Sequence, residues 1–185
     1  MLMRKFLSSL LEVFEIAVIA VGSVFLVRTF LVQPFVVSGS SMAPNFENGD
    51  YLLVDELTYR FRSPERGEVV VFRYENSPST YFIKRIVGLP GETLRIKNNA
   101  ITVTSPGGNT VVLRESYLPA GVVTGGDAEY VVNHNEYFVL GDNRSFSFDS
   151  RNWGVLPTKN VIGIARVRLW PLPQLKAFAI PHYQN

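Results

Sequence analysis

The chain has 185 residues, 46% of them apolar, and a formal net charge of +2. That length and apolar share suit one domain with its own core plus an anchor or a small lobe, and the nearly balanced charge argues against a broad nucleic-acid surface. It has no cysteine, which excludes disulfides and thiolate metal sites, and its two histidines, His134 and His182, argue against a His-rich metal centre.

Arg4 and Lys5 precede an apolar run from Leu10 to Val32, interrupted by Glu12, Glu15, Ser23, Arg28 and Thr29. As a helix this run would be about 34 Å long, enough for a hydrocarbon core of roughly 30 Å. Glu15 and Arg28 fall near its ends, where side chains reach the interface. Pro34 is expected to end the helix, because it lacks an N–H and disfavours helical geometry at Gln33. The run reads as an uncleaved anchor over residues 1–34. Its uncharged heart, Ile16 to Val27, also fits a buried core helix or a cleaved secretory signal. Basic residues ahead of the span favour a cytoplasmic N-terminus, with the rest of the chain outside the cytoplasm.

Beyond Pro34 the pattern turns to short β-rich runs: FVVSG, DYLLVDEL, GEVVVFRY, YFIKRIVG, TLRI, AITVT, VVLRE, EYFVLGD and VIGIARVRLW. Turn signals separate them, among them Gly49-Asp50, Pro64 to Gly67, Pro90-Gly91 and Asn98-Asn99. A mainly β fold is expected, a sandwich or barrel-like assembly. Its main domain is expected over 35–94 and 136–185. The Gly- and Asn-rich stretch 95–135 reads as a small inserted β lobe, or nearly as well as a long pair of loops in the same sheet.

Ser41 lies in VVSGSSMAPNF, where small residues follow the greasy segment. A serine hydroxyl needs a base before it acts as a nucleophile. Both histidines sit in loop-like settings and read as solvated. Lys84 in YFIKRIVG shares a strand face with Phe82 and Ile86, while Ile83, Arg85 and Val87 share the other. One of the two adjacent cations must then face an apolar side, unless the strand is an edge with both charges in water. Burial lowers a lysine pKa, and a neutral amine can take a proton from serine. The segment GDNRSFSFDSRNWG, residues 141–154, is dense in hydrogen-bonding side chains and reads alone as a structural turn. A serine there could orient the Lys84 amine.

Together these segments resemble the type I signal peptidases, the bacterial leader peptidase family, from the anchor to about Pro171. SGSSMAPNFENGDYLLV resembles the family's serine box, in which the nucleophile precedes Met-x-Pro. That implies Ser41 as nucleophile. YFIKRIVGLPGE resembles the lysine box, which implies Lys84 as general base and a structural role for Arg85. RGEVVVFRY resembles a further box. GDNRSFSFDSRNWG resembles the last one, which implies Ser147 as a partner of the lysine and Asp149, Ser150 and Arg151 as braces. The resemblance implies a signal-peptidase-like β catalytic domain with a small inserted lobe and one N-terminal transmembrane helix. It also implies a membrane-anchored serine endopeptidase that removes N-terminal signal peptides from exported preproteins by a Ser-Lys dyad, with no metal or organic cofactor. The expected partners are preproteins bound as extended peptides and a lipid bilayer, with no nucleic acid. The expected location is a cell or thylakoid-type membrane.

By the same resemblance Phe35, Val37, Phe82 and Ile83 line the substrate pocket, and Gly39 and Ser41 form the oxyanion region. Some members carry a serine at the Gly39 position and polar residues at Ser145 and Phe146, so this chain departs there. Two other classes fit parts of the pattern. A Ser-Lys self-cleaving regulator would need a DNA-binding segment where this chain has its apolar run. A non-enzymatic anchored peptide-binding β domain would survive loss of Lys84 unaltered.

Overall fold

The computed structural model describes residues 2–30 and 32–181, with side chains over 10–24 and 33–181. Helix α1 spans Leu2–Phe30. It begins well before Leu10, since no glycine or proline interrupts residues 2–9. Its described apolar side chains, including Leu10, Val13, Phe14, Ile16, Val18 and Val21, are exposed. Among the described residues no helix is both long and apolar enough to cross a membrane.

Strand β1, Val32–Val36, contains Pro34 rather than starting after it. Proline is tolerated because β1 lies at a sheet edge, where a missing N–H costs no ladder bond. Then follow β2 (Tyr51–Asp55), β3 (Val69–Tyr74) and β4 (Ser77–Gly88). Strands β5 (Thr93–Lys97), β6 (Ala100–Thr104), β7 (Thr110–Val112) and β8 (Ala128–Val131) form a second sheet in the order β7-β6-β5-β8. The β5–β6 turn places Asn98 and Asn99 at φ 51° and 63°, left-handed values that two-residue hairpins favour.

The chain returns through β9 (Glu136–Leu140), β10 (Leu156–Pro157), β11 (Val161–Trp170) and β12 (Lys176–Ala177). The larger sheet runs β1-β2-β11-β3-β4-β9-β10, with β12 on β11 and every pairing antiparallel.

Strand β4 is therefore central, with Val70 opposite Lys84 on β3 and Val139 opposite Ile86 on β9. One core cluster packs Val70, Phe72, Ile86, Tyr137, Val139 and Leu156. Another joins Val87, Phe138 and Leu140 of the larger sheet to Leu94, Ile96, Ile101 and Val103 of the smaller one. A third, built on Val37, Met42, Phe46, Leu52, Val69 and Ala165, underlies the turn that follows β1. His134 is exposed, as its loop setting implies. The solvated setting expected for His182 falls outside the described residues.

Candidate active site

The serine turn is held at its neck by two backbone bonds, Val37 N–H to Asp50 O and Gly49 N–H to Val37 O, each 2.9 Å. Gly39 has φ +95°, a left-handed value that side chains rarely adopt, and its N–H donates to Asn48 Oδ1 at 2.9 Å. Met42 and Phe46 are buried in the cluster below and fix the turn from inside. Ser41 thus stands on a rigid support, with no acceptor among the described residues for its own N–H.

The turn is also clamped to the 141–151 segment. Ser41 O accepts from Asn143 N–H at 3.0 Å, and Ser40 O from Asn143 Nδ2 at 3.1 Å. Gly141 makes this contact possible. A Cβ there would lie 2.4 Å from Ser41 O and 2.1 Å from Ser147 Oγ.

Lys84 reaches this corner from β4. Its Nζ lies 2.8 Å from Ser41 Oγ and 2.9 Å from Ile83 O, and 5.2 Å from the centre of the Phe82 ring. The residue is 3% exposed. Burial pushes the amine down from its ordinary 10.5 to about 8, against the opposing pull of the Asp149 and Asp142 carboxylates.

Arg85 is buried as well. It forms a two-pronged bond to Asp142 at 2.8 and 2.6 Å, donates to Gly67 O at 2.8 Å, and stacks 4.0 Å from the centre of the Tyr117 ring. The edge-strand alternative, with both cations in water, is thereby overturned: β4 has a strand on each side and both charges lie inside.

Asp149 caps the short helix α2, Ser150–Trp153. It accepts from Arg151 Nε and Nη2 at 2.8 Å each and from Gly141 N–H at 3.0 Å. Burial alone would raise its pKa, but these donors hold it below the usual carboxylate range. Ser150 Oγ accepts from Val139 N–H at 3.0 Å, locking α2 to β9.

Ser147 sits at the same corner and its hydroxyl faces Asp149. That hydroxyl is buried and forms no hydrogen bond of good geometry with any described residue, the Lys84 amine included. The structure thus brings Ser41 and Lys84 into contact and sets Ser147 beside them without the expected bond.

A groove of about 300 Å³ opens over the pair. Phe35, Val37, Phe82 and Ile83 all line it, as do Gly39, Ser41 and Lys84. So do Tyr81, Phe146 and Phe148, which sequence reasoning missed. Tyr81 lies two residues before Ile83, so strand alternation could have found it. Phe146 and Phe148 are apolar interruptions in a polar turn, and both are exposed. Arg144, one of the hydrogen-bonding side chains of the 141–154 segment, finds its ionic partner outside that segment. It bonds Glu115, Thr124 and Gly141 O, tying the 115–124 stretch to the serine corner. Nothing in the sequence connects residues so far apart.

Among the described residues no group of three or more His, Cys, Asp or Glu side chains could hold a metal ion.

The family described as "Signal peptidase, peptidase S26" matches residues 10–170. "Probable signal peptidase I-2" of Synechocystis sp. is 37% identical over 166 residues, which cover 85% of this chain and 70% of that protein. "Signal peptidase I P" of Bacillus subtilis subsp. natto is 34% identical, over 91% of this chain and 94% of its own. "Signal peptidase I" of Leptolyngbya laminosa is 35% identical, over 84% and 77% respectively. A match of this extent, to a family model and to relatives along most of both chains, leaves one conclusion: this chain belongs to the type I signal peptidases, the S26 family of peptide-bond hydrolases.

Proposed function

We propose that this signal peptidase works by a Ser41–Lys84 dyad and acts on membrane-held preproteins. The observation that supports the dyad most is the buried Lys84 amine, 2.8 Å from Ser41 Oγ and with a pKa near 8. As an ammonium it donates to Ser41 Oγ. Once neutral, its lone pair accepts the Ser41 O–H across the same short contact. Transfer of that proton lets Ser41 attack the peptide carbonyl. The Lys84 ammonium so formed then gives that proton to the leaving nitrogen as the C–N bond breaks, and an acyl-enzyme and a neutral amine remain. Water, deprotonated by Lys84, releases the product. The unpartnered Ser41 N–H is suited to hold the oxyanion, with the backbone near Gly39 beside it.

Ser147 is the orienting partner in this reading. The ammonium has three N–H groups, and two of its acceptors are Ser41 Oγ and Ile83 O. The buried, unsatisfied Ser147 hydroxyl is available for the third after a side-chain rotation. Asp149 and Arg151 brace that corner.

The substrate lies extended along the groove, where Phe35, Val37, Phe82 and Ile83 exclude bulky side chains near the cut. Residues 35–92 and 136–181 form the catalytic unit and 93–135 the inserted lobe, since β5 opens the smaller sheet two residues before the division expected at 95. The run from Leu10 to Val32 anchors the chain in the bilayer with its N-terminus in the cytoplasm. Two observations support the anchor: apolar side chains exposed on several faces of α1, and the sequence length of the run.

The test incubates the detergent-solubilised protein with a preprotein and maps the cut by mass spectrometry. Ser41→Ala should abolish cleavage, and Lys84→Ala should lower it by about 10²–10⁴-fold, with melting transitions retained. Normal processing by both variants would sink the dyad.

A further inference from the structure

A second cleft, of about 400 Å³, lies beside the start of β1. Its walls carry three cations, Arg60, Arg73 and Lys159, against one carboxylate, Glu56, and also Gln33 and Asn160. The Arg60 and Arg73 guanidinium groups have no partner among the described residues. Among the described residues Lys159 meets only the exposed Glu75, at 3.6 Å, a pairing too open to hold it. Asn160 adds an independent sign: its Nδ2 is buried and has no acceptor among the described residues. Buried donors are almost always satisfied, and a rotation of this side chain into the cleft it lines would let an acceptor there satisfy it. Forked guanidiniums and an amide donor around a hollow with excess positive charge suit the oxygens of a phosphate group.

The cleft's position indicates where that phosphate comes from. Gln33 is three residues beyond Phe30, the last residue of α1. A cleft so close to the end of an anchor lies at headgroup depth. We propose that it binds the phosphate of an anionic phospholipid, which would fix the rotation of the catalytic domain over the bilayer. Tyr81 lines both this cleft and the serine groove, so the bound headgroup and the substrate groove share a wall. The lipid source rests on the anchoring reading above; the phosphate chemistry does not.

The test uses the full chain in neutral detergent micelles containing phosphatidylglycerol or phosphatidylcholine, with retained lipid measured by native mass spectrometry. Wild type should retain phosphatidylglycerol in preference. Each cation removed should weaken retention roughly five-fold, so Arg60→Gln with Arg73→Gln should lose roughly 30-fold. Asn160→Asp, which places a negative charge in the cleft, should also weaken it. Arg95→Gln, exposed on β5, should not. Peptide cleavage in the same micelles should persist in the double variant, which shows that it is folded.

Unchanged retention in the double variant would overturn the site. Displacement of phosphatidylglycerol by inorganic phosphate at equal concentration would make this a free-anion site and overturn the lipid assignment. Flotation with pure phosphatidylcholine vesicles tests the anchor alone: a chain that fails to float has lost that reading, while the micelle measurement still reports on the cleft.

Discussion

Lys84 holds a proton less readily in the folded chain than in the unfolded one, and that difference has consequences for stability as well as chemistry. The unfolded chain keeps the proton up to the ordinary value of 10.5, the folded chain only up to about 8. Between these values the unfolded state binds more protons, so stability rises with pH across the window. Below about 8 the folded chain carries a buried ammonium at a cost on the order of 3 kcal/mol. Lys84→Met should therefore melt at higher temperature than wild type below that pH, and should lose the rise between about 8 and 10.5. Identical pH dependence of melting in the two proteins would show that the amine is not held dry. In the wild type, kcat/KM should climb about tenfold per pH unit toward 8 and then level off as the amine becomes neutral. The Ser41–Lys84 meeting was legible through the family resemblance, whose serine and lysine boxes single out both residues; local pattern alone left Lys84 open to a solvated edge strand. The Arg85–Asp142 pair was not. Arg85 stands out as the second cation of an apolar strand, but nothing there names its partner, and 57 positions separate the two.

Strand β4 shows what sequence periodicity conveys at the level of elements and what it omits. Its alternation gave the faces, but not its neighbours, and neighbours decide whether a charge meets water. Flanked by β3 and β9, it buries both cations, and each then needs its own partner. Strands β8, β10 and β12 escaped sequence reading because they are short and take their shape from the strand they pair with. Pro34 misled for a related reason, since it marks either a helix stop or an edge strand, and only the sheet decides. The β11–β2 crossing is more exacting than its sequence implies. A Cβ at Gly163 would lie 2.5 Å from Asp55 O and 2.8 Å from Val54 Cγ1. Gly163→Ala should thus force the two strands apart and cost about 1–3 kcal/mol in urea unfolding. A midpoint equal to that of wild type would mean that the strands do not approach so closely.

The whole molecule combines a core shared by two sheets with a helix whose described apolar side chains are exposed. Leu94 and Ile96 from the smaller sheet pack against Phe138 and Leu140 of the larger, so the smaller sheet is part of the folded unit rather than an ornament. Helix α1 instead meets the folded body at β1. Fully extended, residues 30 to 41 would span no more than about 40 Å, and the turn after Val37 shortens that reach. On the anchoring proposed above, a serine so close to the end of α1 would encounter membrane-held substrate as if tethered to it, at effective concentrations on the order of millimolar. Two consequences should then separate cleanly. A chain beginning at Val32 keeps every strand and the Ser41–Lys84 contact, so it should cleave a short soluble peptide with the kcat of the full chain. On a preprotein embedded in vesicles it should fall well behind, because it has lost the shared plane and not the chemistry. Measuring both substrates with both chains tests this directly. An equal loss on peptide and preprotein would mean that α1 supports the catalytic fold itself, and an equal rate on the embedded preprotein would mean that tethering contributes nothing.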